Sequence, residues 1–194
     1  MEGIHLLNKI NQRISSLLEY QKTFESHRIG LDPLGNPSQV ASKIIEFLNS
    51  IGSKANCDCV LLLLDFEKQA KQQGICTGDR SQEIIAAFNK KRKLLRPNIT
   101  CFEVVIKNRC LENWLVSDIE VFNKFLTKEP KKALPDILNI DEVSVSTFFN
   151  KKALRNASPD PLRMAQNSRS FRRYLRVIGH PDYAEQSKLP ATQS

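Results

Sequence analysis

The stretch Cys57-Asp-Cys-Val-Leu-Leu-Leu-Leu-Asp-Phe-Glu67 constrains this chain more than any other. Cys59 to Leu64 is an apolar run without alternation. That is the pattern of a strand buried on both faces inside a parallel sheet. Ligands in open α/β sheets bind at the carboxyl ends of such strands, and Asp65 and Glu67 stand at that end. In an extended chain, residues i and i+2 point to the same side. Two carboxylates so placed suit a divalent cation; equally, they can simply begin a loop and cap the next element.

The flanking segments support an α/β reading. Leu7, Ile10, Ile14, Leu17 and Leu18 predict an amphipathic helix over Ile4 to Gln21. Thr23 to Ile29 is a short candidate strand, followed by a Gly/Pro loop from Gly30 to Pro37. Asn36 and Pro37 form an N-cap and first helical position for a helix that carries Val40, Ile44, Phe47, Leu48 and Ile51 and stops at Gly52. Beyond the Asp58 to Phe66 strand lies a loop with Gly74 and Gly78, then a helix over Ser81 to Lys93 and a second strand over Ile99 to Ile106. A helical stretch with Leu115, Ile119, Phe122, Phe125 and Leu126 follows. Thr127 to Pro161 reads as irregular with short helices, and Ser168 to Ile178 as a helix ending near Gly179. Strands alternating with helices give a layered α/β domain with a mainly parallel central sheet flanked by helices, plus a C-terminal helical extension. The expected division is a core over 1–126, a mostly helical extension over 127–183 and a frayed tail over 184–194.

Composition excludes several classes. At 41% hydrophobic and 26% charged, the chain is an ordinary globular one. No run reaches the roughly 18 to 20 apolar residues of a membrane span, and the N-terminus lacks a signal-peptide layout, so the expected location is cytoplasmic. Cys57, Cys59, Cys76, Cys101 and Cys110 contain no Cys-x-x-Cys pair, which predicts reduced thiols rather than zinc or a disulfide framework. His5, His27 and His180 are not at metal-ligand spacing. Gly30-Leu-Asp-Pro-Leu-Gly35 has the glycine spacing of a phosphate loop, but Asn36 and Pro37 replace its Lys and Ser/Thr, which rejects an ATPase.

The charge is more informative. The formal net charge is +8, and Lys151 to Arg176 holds eight basic residues against one acid, Asp160. Arg169, Arg172, Arg173 and Arg176 recur at helical spacing opposite Phe171, Tyr174, Leu175 and Ile178, so one face packs while the other is a guanidinium stripe. Its partner is nucleic-acid phosphate, the domain's own carboxylates, or solvent. Lys107, Arg109 and Glu112 cluster after the second strand. Glu112 has the plain role of a first-turn helix acid, the two cations can pair with nearby acids, and Trp114 belongs in the core.

Three blocks together resemble a known family: Val60 to Glu67, Val105-Ile-Lys-Asn-Arg-Cys-Leu-Glu-Asn-Trp-Leu-Val-Ser-Asp118, and Asp160-Pro-Leu-Arg-Met-Ala-Gln-Asn-Ser-Arg-Ser-Phe-Arg-Arg-Tyr-Leu175. They resemble bacterial Toprim-like proteins related to the nuclease domain of overcoming-lysogenization-defect proteins, over about Lys43 to Tyr183. The resemblance implies magnesium (or manganese) held by an acid after the first strand, usually within Glu-Gly, and by an Asp-x-Asp or Asp-x-Glu pair. It carries the pair onto Asp65 and Glu67, the glutamate before tryptophan onto Glu112, and the Glu-Gly acid onto Glu2. Family members open with an apolar strand before Glu-Gly, whereas this chain begins Met1-Glu2-Gly3. Either the true start lies upstream, or the first strand is missing.

The leading expectation is therefore a metal-dependent nuclease. Asp65, Glu67 and Glu112 would hold the ion, Arg109 and Lys107 would offset developing charge, and Arg169, Arg172, Arg173 and Arg176 would position nucleic acid, with an ATPase partner in phage defence. The alternative is a non-catalytic nucleic-acid-binding or regulatory subunit. A weaker third reading is a small-molecule phosphotransferase.

Overall fold

The computed structural model describes residues 2–15, 25, 27–52, 57–65, 74–107, 111–127, 145–154 and 156–179. In chain order the elements are α1 (Glu2–Ser15), α2 (Pro37–Ile51), β1 (Cys57–Asp65), α3 (Thr77–Lys91), a 3-10 turn (Arg92–Leu94) and β2 (Ile99–Lys107). They continue with α4 (Leu111–Val116), α5 (Ile119–Phe125), α6 (Val145–Phe148), α7 (Lys151–Leu154), α8 (Pro161–Asn167) and α9 (Arg169–Val177). The fold is mixed α/β, and its described sheet is a parallel pair, β1 with β2. The chain forms two compact units: Arg28–Asn108, and Met1–His27 together with Arg109–Ser194. Among the described residues no helix is long and apolar enough to cross a membrane.

In the 28–108 unit the local signals act as expected. The Asn36 side chain accepts from the Ser38 amide at 2.8 Å, Pro37 opens α2, and Gly52 ends it at φ 58°, where a side chain would be strained. Val40, Ala41, Ile44, Ile45 and Leu48 of α2 share one core with Ile84 and Phe88 of α3. The sheet gives this core Leu62, Leu64, Phe102, Val104 and Ile106. Phe88 stacks on Phe102 with ring centroids 3.9 Å apart. Each such side chain stabilises the unit by about 1.5–3 kcal/mol through burial.

Three expectations are corrected here. The described part of Thr23 to Ile29 is not a strand: Glu25, His27, Arg28 and Ile29 pair with no neighbour as a ladder, because the segment is polar and lacks alternation. α3 starts at Thr77, earlier than Ser81, and Gly78 lies inside it. Asp79 in the first turn favours that start through the helix dipole. Finally, β1 is not buried on both faces. Leu62 and Leu64 are buried, Leu61 and Leu63 half-buried, and Cys57 and Cys59 exposed. The helical layer of α2 and α3 packs on the Leu62 and Leu64 side, and the continuous apolar run overstated the cover on the other.

The helical unit is organised around Trp114, which is fully buried as expected. Its ring meets Phe171 edge-on at 5.0 Å and lies 5.2 Å from Tyr174, and its indole N–H donates to Ser170 Oγ at 2.8 Å. Ser168 caps α9 by accepting from the Phe171 amide, and Gly179 follows at φ 78°. Phe171, Tyr174, Leu175 and Ile178 are the buried face, matching the predicted side. The expected single helix after Trp114 is instead two, because Asp118 turns inward and caps α5. α8, headed by the Asp160 cap and Pro161, falls where no separate helix was expected.

Candidate functional site

β1 and β2 run parallel with Leu62 beside Val104 and Asp65 beside Lys107. The register therefore places an acid and a base side by side at the carboxyl ends of both strands. Asp65 Oδ1 lies 2.6 Å from Lys107 Nζ. The pair is unequal: the Lys107 side chain is 8% exposed and that of Asp65 46%. A buried ammonium needs an anionic neighbour, since desolvating it alone is costly. Asp65 meets that need while keeping its outer side in water, at the edge where parallel sheets bind ligands.

Of the expected site residues, the structure brings together Asp65 and Lys107. Glu67 and Arg109 lie outside the described residues. Glu112 sits half-buried in the first turn of α4, in the other unit. Glu2 opens α1. Among the described residues no group of three or more His, Cys, Asp or Glu is assembled around a common point. Magnesium is often held by one or two carboxylates with water completing its shell. Asp65, a half-exposed hard-oxygen donor, fits that chemistry.

A second acid is built for a different purpose. Asp118 is fully buried. It accepts from Arg163 Nε at 2.9 Å and Nη2 at 3.0 Å, from the Asp160 amide at 2.7 Å and from the Glu120 amide at 3.0 Å. Burial pushes its carboxyl up, but the Arg163 contact and the two amides outweigh this and hold it below the ordinary carboxylate range. All of its donors belong to the helical unit, so it ties α5 to α8.

The cations divide in the same way. Arg169 of the arginine helix is exposed, while Arg172, Arg173 and Arg176 are half-buried. Arg172 donates to the Ala165 and Gln166 carbonyls at 2.9 and 3.0 Å, closing the last turn of α8. The sequence reading passed over a second basic run, Lys90-Lys-Arg-Lys93 with Arg96, which has no acid from Ile84 to Phe102. Lys91 donates to the Ser38 carbonyl and Ser42 Oγ, and Arg92 to the carbonyls of Ile99 and Thr100. Lys90, Lys93 and Arg96 are exposed around Leu94, which is 58% exposed. Four consecutive basic residues were the signal that could have revealed it.

Arg80 was also missed. It is buried and donates to the carbonyls of Pro33 and Gly35 and to Glu83, pinning the Gly30 to Pro37 loop to α3. Within the loop the Leu34 amide donates to Asp32 Oδ1 and the Gly35 amide to the Asp32 carbonyl, where a phosphate loop would keep its amides for a ligand. Comparison with protein-family models, characterised proteins and solved structures returns no match to this chain.

Proposed function

We propose that this chain is a magnesium- or manganese-dependent protein that cleaves phosphodiesters in nucleic acid, with its reactive edge at the carboxyl ends of β1 and β2. The observation that carries the reading is the Asp65–Lys107 pair, in which the base is buried and the acid is open. Asp65 and Glu67 would hold the ion, which supplies Lewis-acid polarisation of a phosphate. Lys107 fixes the carboxylate and places a desolvated positive charge beside the edge, where charge on phosphate oxygens would be stabilised. Exposed Lys90, Lys93 and Arg96 would meet the nucleic-acid backbone without reading its sequence, and in the helical unit exposed Arg169 offers a separate phosphate contact. The Toprim-like resemblance suggests an ATPase partner in phage defence.

Asp65→Ala is expected to lower magnesium-dependent nicking of plasmid DNA, or cleavage of RNA, by about 100-fold or more. An unchanged rate would sink the reading. A second reading is favoured by the fact that Asp65 already has Lys107 as its counter-ion. On that reading the chain is a non-catalytic nucleic-acid-binding or regulatory subunit. It predicts binding that weakens steeply with salt and no cleavage with any divalent ion.

A further inference from the structure

Cys57, Cys59 and Cys101 lie on one face of the β1–β2 sheet. Cys57 and Cys59 are two apart in β1, and Cys101 is the direct partner of Cys59 in β2. This is the face opposite Leu62, Leu64, Phe102 and Val104. Cys57 and Cys59 are exposed and Cys101 is half-buried. Neighbouring strands lie about 4.8 Å apart, inside the roughly 4.4–6.8 Å Cα separation that a disulfide spans. Residues paired across a ladder send their side chains to the same side, so the register puts the Cys59 and Cys101 thiols next to each other.

We propose that Cys59 and Cys101 form a reversible oxidation site, a dithiol that a hydroperoxide converts into a disulfide across the two strands. In the first step the Cys101 sulfur attacks the terminal peroxide oxygen. The O–O bond breaks, an S–O bond forms, and the leaving oxygen takes the thiol proton. In the second step the Cys59 sulfur attacks the oxidised sulfur. The S–S bond forms, the S–O bond breaks, and the hydroxyl leaves as water with the Cys59 proton. The two thiols lose two electrons and two protons, and the peroxide is reduced.

The order of attack follows from the surroundings. Although Cys59 is exposed as a residue, partial desolvation of its sulfur and then the neighbouring Cys101 push its thiol up to about 12, so at neutral pH it stays a thiol and is a poor first attacker on the peroxide. The amino end of this face, where Cys57 and Cys59 are exposed, admits a small oxidant and, afterwards, a reductant, which is the setting of labile rather than permanent disulfides. The bond would clamp the same two strands whose ends carry Asp65 and Lys107, and so fix their register. It also goes beyond the expectation of reduced thiols, which rested on the absence of a Cys-x-x-Cys pair.

The test treats the full chain with hydrogen peroxide and maps its peptides by mass spectrometry, with and without dithiothreitol. Supporting results are a Cys59–Cys101 linked peptide, lighter by two hydrogens, that dithiothreitol removes, and a rise of the melting midpoint on the order of 5 °C. Cys57→Ser should keep both signals, and Cys59→Ser should lose both. Serine at the exposed Cys59 position leaves the core intact, so folding is not at issue. A bond from Cys57 or Cys76 with Cys59 unchanged, or only higher oxides at Cys59 and Cys101, overturns the proposal.

Discussion

Two acid–base pairs, one in each unit, use the same interaction in opposite ways. In the helical unit the carboxylate of Asp118 is buried and Arg163 is 33% exposed. In the 28–108 unit the ammonium of Lys107 is buried and Asp65 is half exposed. Asp118 is surrounded by four donors and has no capacity left for an outside group. Among the described residues Asp65 pairs with Lys107 and keeps a solvent-facing side. The difference teaches where chemistry can occur: a fully satisfied acid holds elements together, whereas an acid held from one side can still bind something else.

The largest expected effect tests that contrast through stability. Asp118→Ala removes the buried acceptor of two amides and the main partner of Arg163, which keeps Glu120 and the more distant Asp160, and should cost about 3–5 kcal/mol. Asp65→Ala leaves the buried Lys107 ammonium without this carboxylate, but water can enter from the half-exposed side, so the loss should be smaller, about 1–3 kcal/mol. Urea unfolding monitored by circular dichroism measures both. Equal losses would break the comparison. Trp114, the chain's one tryptophan, reports on the helical unit and should show the Asp118→Ala loss directly.

The next effect is on acid stability. The Asp118 carboxyl is held below its ordinary range, so in the unfolded chain it binds a proton more readily than in the folded one. Its contribution is therefore fully present above the unfolded value of about 3.9 and is lost as pH falls through the lower folded value. Trp114 emission followed from neutral pH downwards should show an acid limb that Asp118→Asn flattens. If the limb is the same in that variant, the carboxylate is not what the acid titrates.

How much of this was legible depended on how local each signal is. α2 was readable because Asn36, Pro37 and Gly52 act on their own backbone. The packed face of α9 was readable for the same reason, since Phe171, Tyr174, Leu175 and Ile178 repeat at helical spacing. Asp118 was not, because what draws it inward is Arg163, far along the chain. The interrupted helix at that point follows a tertiary contact rather than a breaker residue. The strand positions were visible in their apolar runs, but burial on both faces was inferred from the lack of alternation, and that pattern does not say how many layers cover a sheet. Asp65 stood out at once as a strand-end acid. That Lys107 is its partner, and that Cys59 faces Cys101, follows only from the β1–β2 register, which no single strand encodes.

The smallest effects should separate the two basic surfaces. If nucleic acid binds through phosphate contacts, each contacting cation contributes about 0.9 to the slope of log affinity against log salt on B-form DNA. Lys93→Ala and Arg96→Ala, at exposed positions, should each lower that slope by close to this amount and leave stability unchanged. Arg172→Ala should do the reverse. Its guanidinium serves the Ala165 and Gln166 carbonyls, so its loss should loosen α8 by about 1 kcal/mol with little change in slope. Binding titrations at several salt concentrations, paired with melts, distinguish the two. An Arg172→Ala slope change as large as that of Lys93→Ala would mean that the arginine helix, not the 90–96 run, is the surface that meets the phosphates.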